Sequence, residues 1–228
     1  MSDGASIAAN LAAVHRRIQQ AAQTYDRKAP SLLAVSKGQP DSAIRRAFAA
    51  GQIQFAESYV QEALAKMALL KDLPIVWHFI GPIQSNKTAQ IAQHFDWVHS
   101  VDREKIAERL ASARPENISP LNVCVQVNVS GEASKSGVGP GELPAITEAV
   151  SALPGLRLRG LMAIPEPTLD FATQRAAFHV VQALFEGLHT QGYDLDTLSM
   201  GMSGDLEAAI AEGATIVRVG TAIFGPRG

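Results

Sequence analysis

The chain has 228 residues, of which 46% are hydrophobic and 18% charged, and this composition excludes an intrinsically disordered or fibrous protein. Its formal net charge of -2 provides no overall attraction for nucleic acid. A single cysteine, Cys124, excludes an intrachain disulfide and a cysteine-cluster metal site, and its apolar neighbours indicate a core position.

The N-terminal residues lack the apolar stretch of a signal peptide, and Arg16 and Arg17 interrupt the region where one would lie. No apolar run has the roughly 20 residues needed to cross a bilayer. We therefore expect a cytoplasmic protein whose partners include neither nucleic acid nor a membrane.

Apolar residues at helical spacing predict a first helix over residues 5–25. Eight apolar runs typical of strands covered on both faces follow, over residues 31–37, 52–58, 75–81, 97–102, 121–129, 156–164, 197–203 and 214–225. Helical segments alternate with these runs, and Asp41, Ser42 and Asp102 are candidate N-caps. The alternation predicts an α/β fold, a single (β/α)8 barrel of the TIM type with an extra N-terminal helix, formed by residues 1–228 as one domain. A doubly wound open sheet is the alternative.

Functional side chains of such barrels gather where the strands end. Residues of this kind occur in or after each predicted strand: Lys37, Glu57, Ser58, His78, Asp102, Asn128, Met162, Ser203, Arg218, Gly220 and Thr221. Arg218 lies within the apolar run TIVRVGTAIF, so we expect its guanidinium to face the barrel mouth and to meet polar atoms.

Two glycine-containing stretches near the C-terminus predict a phosphate site. Gly201 and Gly204 flank Ser203 before a helical run, which would leave free backbone N–H groups directed at an anion. Gly220 and Thr221 offer a further amide and a hydroxyl after the eighth strand. Barrels often bind phosphate with the loops after strands seven and eight. A capped helix start followed by a glycine turn is the alternative interpretation.

Other chemistries have less support. GMSG resembles a nucleophile elbow, but Asp205 stands where its last glycine is required, which disfavours a serine hydrolase. There is no phosphate-binding P-loop. There is also no H-E-x-x-H motif, so we expect no metal. A strand-end lysine, an inward arginine and a phosphate site together suggest a phosphorylated carbonyl ligand bound as a Schiff base.

Seven motifs resemble the pyridoxal 5'-phosphate (PLP) homeostasis proteins, the YggS-like family, which is similar to the fold-type III barrel of alanine racemases without their second domain. These are AVSK (34–37), WHFIGPIQSNK (77–87), HSVDR (99–103), NVSGEASKSGV (128–138), LMAI (161–164), LSMGMSGD (198–205) and VRVGTAIFGPR (217–227). The resemblance implies that Lys37 holds PLP as a Schiff base and that Arg218 faces the pyridine nitrogen. It implies phosphate contacts from Ser203, Gly220 and Thr221, and a wider cofactor site that includes Ser58, His78, Asn128, Met162, Met202 and Gly204.

Two positions remain open within this resemblance. Ser58 stands where the family commonly has asparagine, and its shorter side chain weakens the expectation of a cofactor contact. Lys135, in SGEASKSGV, is either a second transient amine or a loop lysine.

A cation beside the pyridine nitrogen weakens the ring as an electron sink, which favours a carrier over an enzyme. We therefore expect a non-catalytic monomer or weak dimer that buffers PLP and delivers it, with PLP-dependent apo-enzymes as candidate acceptors. The alternatives are a fold-type III amino-acid racemase, with His78 or Tyr59 as the opposing acid–base group, and a Schiff-base aldolase without cofactor.

Overall fold

The computed structural model describes residues 3–130 and 136–226. Eight parallel strands follow one another around a closed barrel in chain order, and β8 pairs with β1. The strands are β1 Ser31–Val35, β2 Gln54–Glu57, β3 Val76–Phe79, β4 Trp97–Val101, β5 Leu121–Val127, β6 Leu156–Ala163, β7 Thr197–Ser199 and β8 Ile216–Val219. The predicted (β/α)8 barrel is confirmed, and the open sheet is wrong.

Helices cover the outside of the barrel and the N-terminal helix precedes the first strand. Their bounds are α1 Asp3–Thr24, α2 Asp41–Ala49, α3 Val60–Leu69, α4 Thr88–His94, α5 Glu104–Ala113, α6 Leu143–Ser151, α7 Phe171–Thr190, α8 Leu206–Ala211 and α9 Thr221–Phe224. Within the part of the chain that is described, none of these helices combines the length and apolar character that a membrane crossing requires.

The eighth predicted strand was too long. β8 ends at Val219, and residues 221–224 form the short helix α9 instead of continuing the strand. The apolar side chain of Ile223, which extended the strand-like pattern, is buried on this helix. Asn10 of α1 donates a hydrogen bond to the Ile223 carbonyl at 2.9 Å, so a contact with α1, absent from any local pattern, holds α9 in place.

The predicted N-caps were also wrong. Pro40 occupies the cap of α2 and Arg103 that of α5, and neither helix has a side-chain cap. Asp41 is instead the first residue of α2, where a carboxylate is still favourable, and Asp102 pairs with the Arg103 guanidinium at 2.8 Å.

The main core lies between the strands and the helices. α1 contributes Ile7, Leu11, Val14 and Ile18, all buried, as their helical spacing predicts. The interior of the barrel has a different character, because apolar Leu33, Ala56 and Ile216 share it with a layer of polar side chains. Cys124 is fully buried, and burial raises its thiol pKa to about 12.

Candidate functional site

A cavity of about 320 Å³ opens at the carboxyl ends of the strands, where active groups of (β/α)8 barrels lie. It contains eight of the eleven predicted cofactor residues: Lys37, Ser58, Met202, Ser203, Gly204, Arg218, Gly220 and Thr221. Val35, Gln39, Ile80, Ile164 and Gly225 complete its lining. The strand ends therefore converge as the parallel arrangement predicts.

Lys37 faces the cavity because of the alternation along β1. Leu33 and Val35 point into the barrel, so the side chain two residues further on has the same orientation. The backbone of Ser36 still pairs with β2 through the Ala56 carbonyl, at 3.0 Å. Gly38 then turns the chain with φ of 71°, so Lys37 is the last inward residue before the loop.

The loop between β7 and α8 forms another part of the cavity wall. The Met202 N–H donates to the Asp205 carboxylate at 2.5 Å, and Gly201 has φ of 93° with no room for a Cβ beside Ala209. From α1, Arg17 donates to the Ser203 carbonyl at 2.8 Å. The same guanidinium forms a two-pronged ion pair with Glu207 of α8. Contacts from α1 and α8, together with the hydrogen bond within the loop, thus fix its conformation.

The helices that follow the two predicted phosphate-binding loops are shorter than expected from the sequence. α8 has six residues and α9 four, so neither is a long helix with a strong terminal dipole. Anion binding at this wall would depend on the hydroxyls of Ser203 and Thr221 and on loop N–H groups. Gly220 packs against β1, because a Cβ there would lie 3.1 Å from the Val35 carbonyl oxygen.

Arg218 supplies a buried cation at the floor of the cavity. Its Nη1 donates to the carbonyl and the hydroxyl of Ser199 at 2.6 and 2.8 Å, and its Nη2 donates to the Ala163 carbonyl at 3.0 Å. Burial lowers its pKa to about 10, which still leaves the guanidinium charged at neutral pH. The expectation that Arg218 faces the mouth and meets polar atoms is confirmed.

Comparison with known proteins identifies the barrel. Residues 9–228 match the family described as "Alanine racemase, N-terminal domain". A curated relative from Pseudomonas aeruginosa, named pyridoxal phosphate homeostasis protein, is 62% identical over 224 residues that cover 97% of this chain and 96% of the relative. The chain belongs to the pyridoxal phosphate homeostasis protein family.

Solved structures agree with this membership. PipY of Synechococcus elongatus PCC7942, solved with PLP bound, is 41% identical with a TM-score of 0.85, covering 96% of this chain and 100% of PipY. Alanine racemase from Corynebacterium glutamicum is 20% identical with a TM-score of 0.69, covering 97% of this chain and 60% of the racemase. The second likeness shows the shared fold alone.

In this member of the homeostasis family, His78 lies in the barrel interior below the cavity lining. Its Nδ1 is 2.8 Å from His99 Nε2, and its ring stacks on Trp97 with centroids 5.3 Å apart. Burial lowers the pKa of His78 to about 3, so the imidazole is neutral. Ile80, two residues further along, lines the cavity instead. A direct cofactor contact from His78 stays a prediction.

The polar layer is a continuous chain of hydrogen-bonding groups. The Ser199 hydroxyl oxygen accepts from Arg218, which can only donate, and lies 2.8 Å from His99 Nδ1. His99 Nε2 in turn lies 2.8 Å from His78 Nδ1, so the tautomers of the two imidazoles determine which atom of each pair donates. The buried Nε2 of His78 is left without a hydrogen-bond partner.

Asn128 and Met162 lie near the cavity without lining it. Met162 is buried in β6. The Asn128 side-chain oxygen accepts hydrogen bonds from the N–H and hydroxyl of Ser130, at 3.2 and 3.0 Å. Their cofactor contacts stay predictions. Lys135 lies outside the described residues. Among the residues that are described, no group of three or more His, Cys, Asp or Glu side chains could hold a metal ion.

A charged cluster beside Lys37 had no counterpart in the sequence reasoning. The Lys66 ammonium on α3 is buried against Glu57 and Glu62, at 2.7 and 2.6 Å. One signal could have indicated it: Val60, Ala63 and Lys66 fall three residues apart, so a lysine occupies the inward face of an otherwise apolar helix. Arg17 was likewise missed, because its contact depends on how α1 packs against α8.

Proposed function

We propose that the chain binds PLP as a Schiff base on Lys37 and takes part in PLP homeostasis without turning over an amino acid. One observation carries the proposal: the Lys37 amine, the Ser203 and Thr221 hydroxyls and the Arg218 guanidinium line a single cavity. The proposal includes action as a single domain over residues 1–228, in the cytoplasm, as a monomer or weak dimer. PLP-dependent apo-enzymes are the proposed acceptors.

The chemistry of the donor set fits this cofactor. The Lys37 amine would form a C=N bond with the aldehyde and release one water. Hydroxyls and loop N–H groups in the same cavity suit a phosphate. A volume of about 320 Å³ is within the range of small-molecule sites. When bound, the cofactor supplies an electrophilic aldehyde and a conjugated ring.

The positions of the candidate acid–base groups support a carrier. A racemase requires two opposed groups that exchange protons at the substrate carbon. His78 is buried below the cavity lining with a pKa of about 3, and Tyr59 is 65% exposed without lining the cavity. The charged Arg218 would also disfavour protonation of a pyridine nitrogen placed beside it. The relatives named homeostasis proteins are consistent with this interpretation.

The binding proposal is tested by borohydride reduction of the protein loaded with PLP, followed by peptide mapping. We expect a violet absorption band and a pyridoxyl group on Lys37, both lost in Lys37→Ala. Lys71, which is exposed, provides the matched control, and Lys71→Ala should retain the band and the adduct. An adduct distributed over surface lysines, or none, would contradict binding at this cavity.

The non-catalytic part needs a separate assay. The loaded protein is incubated with L-alanine in deuterated water, and both the D-isomer and deuterium at the α-carbon are measured. We expect neither to accumulate beyond one equivalent. Continuous turnover that disappears in Lys37→Ala would support PLP binding at Lys37 but would refute the non-catalytic role.

A further inference from the structure

Four side chains form a connected charged cluster between β1, β2 and α3, which we call the Lys66 network: Lys66, Glu57, Glu62 and Ser36. The Lys66 ammonium donates to the Ser36 carbonyl at 2.7 Å and to carboxylate oxygens of Glu57 and Glu62 at 2.7 and 2.6 Å. An ammonium has three protons, so each is used. The Lys66 side chain is only 8% exposed.

This network contacts the backbone on both sides of Lys37. On one side, the Ser36 carbonyl accepts from Lys66, and the Ser36 hydroxyl donates to Glu57 at 2.6 Å. On the other side, the Gly38 N–H donates to Glu62 at 2.6 Å. The Glu62 oxygen that accepts from Gly38 is the one that accepts from Lys66. Lys37 is therefore held between two residues tied to one ammonium.

Stability alone does not account for such a cluster. Desolvating a lysine and a carboxylate costs about as much as their attraction returns, and apolar residues of similar volume serve a core as well or better. Burial raises the Glu57 pKa, against the opposing effect of hydrogen bonds from Lys66 and Ser36. What these charges provide and apolar groups cannot is directional bonding to the backbone.

The hydrogen bonds of the network reach the backbone at the point where β1 ends. β1 ends at Val35, and beyond Ser36 the strand pairing stops. The chain then turns at Gly38, a residue that restricts its own backbone little. The Gln39 N–H closes a turn onto the Ser36 carbonyl at 3.0 Å, and the network adds side-chain hydrogen bonds on both sides of residue 37.

We propose that the Lys66 network is a positioning device that fixes where the Lys37 amine enters the cavity. The inference rests on the proposed Schiff base. A shift of about 1 Å in a reacting group can slow a reaction by about 100-fold, so partial loosening should cost about tenfold in the rate of imine formation. Non-covalent binding of the phosphate and ring should be spared.

The test compares two ligands in stopped-flow and equilibrium measurements. PLP added to the apo-protein reports the rate of imine formation through its absorption band. Pyridoxine 5'-phosphate, which carries an alcohol in place of the aldehyde, reports non-covalent affinity. In Glu62→Ala and Lys66→Met we expect imine formation about tenfold slower and pyridoxine phosphate affinity within twofold of the wild type. General damage to the site would weaken both.

Two further variants sharpen the test. Glu62→Gln keeps an oxygen that can accept from Gly38, so it should recover most of the rate that Glu62→Ala loses. Arg45→Met is the matched control, because it removes an exposed ion pair between α2 and Asp72, which lies beyond the end of α3, and it should form the imine at the wild-type rate.

If Lys66→Met does not fold, Glu62→Ala still decides the question, since the Glu62 side chain is 30% exposed and its truncation leaves the Lys66–Glu57 pair in place. A wild-type rate in folded Glu62→Ala, or an equal slowing in Arg45→Met, would overturn the inference and leave the proposed function intact. Wild-type protein that forms no imine would instead refute the proposed function, and this inference with it.

Discussion

Mild acid should destabilise the barrel through the His78–His99 pair. Burial lowers the pKa of His78 to about 3, and burial, His78 and Arg218 hold the pKa of His99 well below its usual value. In the unfolded chain both imidazoles titrate near pH 6.5. Below that pH the unfolded chain binds more protons than the folded barrel does. The free energy of unfolding therefore falls as the pH falls.

The size of the effect follows from the two states of each imidazole. For His78, a pKa of 6.5 in the unfolded chain and about 3 in the barrel corresponds to a loss of about 2 kcal/mol between pH 7 and pH 5. The pKa of His99 is shifted in the same direction, so its titration adds to this loss. Domains of this kind have about 5–15 kcal/mol of stability, so this loss should be easy to measure.

Urea unfolding followed by tryptophan fluorescence at pH 7, 6 and 5 provides the assay. His78→Gln cannot titrate, yet its amide group can either donate to or accept from His99 Nε2, so its loss between pH 7 and 5 should be about 2 kcal/mol smaller than that of the wild type. His94→Gln changes an exposed histidine and should follow the wild type. An identical loss in wild type and His78→Gln would refute a neutral, buried His78.

Three further predictions concern the loop that carries Ser203, the sheet and the thiol. Arg17→Met removes an ion pair and a hydrogen bond to the Ser203 carbonyl, both partly exposed, so we expect a stability loss of about 1 kcal/mol by urea unfolding and roughly fivefold weaker pyridoxine phosphate binding by calorimetry. Gly160→Ala would place a Cβ 1.9 Å from the Thr197 carbonyl oxygen at φ of 154°, which should cost about 3 kcal/mol or more in thermal unfolding. Cys124 should not react with Ellman's reagent in the native protein, because burial raises its pKa to about 12, and should react fully in urea.

The parts of the site that could be predicted are those determined by strand order. Lys37, Ser203 and Arg218 converge because parallel strands present their carboxyl ends at one mouth, and this needs only the position of each residue along its own strand. For His78, the position along the strand predicts the direction of the side chain but not its depth in the barrel. It points inward as expected, but β3 continues past it, and Ile80 reaches the cavity one inward step nearer the mouth.

The remaining interactions depend on how distant elements pack together. The hydrogen bond between His99 and Ser199 crosses the barrel between residues 100 positions apart, and it requires the register of all the intervening strands. The contact of Arg17 with Ser203 likewise joins residues 186 positions apart. α9 could not be predicted for the same reason. Its apolar residues are typical of a strand, and its helical conformation depends on packing against α1.

The polar interior includes a buried cation, Arg218, that also lines the cavity. The guanidinium of Arg218 donates to neutral oxygens of Ser199 and Ala163, and beyond the Ser199 hydroxyl the chain continues into two neutral imidazoles. These groups are neutral, and the negative charge that acts on the cation comes from the Asp205 carboxylate, in the loop between β7 and α8, which offsets part of it. Because the surroundings are buried, the field of Arg218 is poorly screened and extends into the cavity that it lines. A carboxylate in place of Ser199 would satisfy the same donors and neutralise the cation, whereas the Ser199 hydroxyl satisfies them and leaves the charge of Arg218 in place.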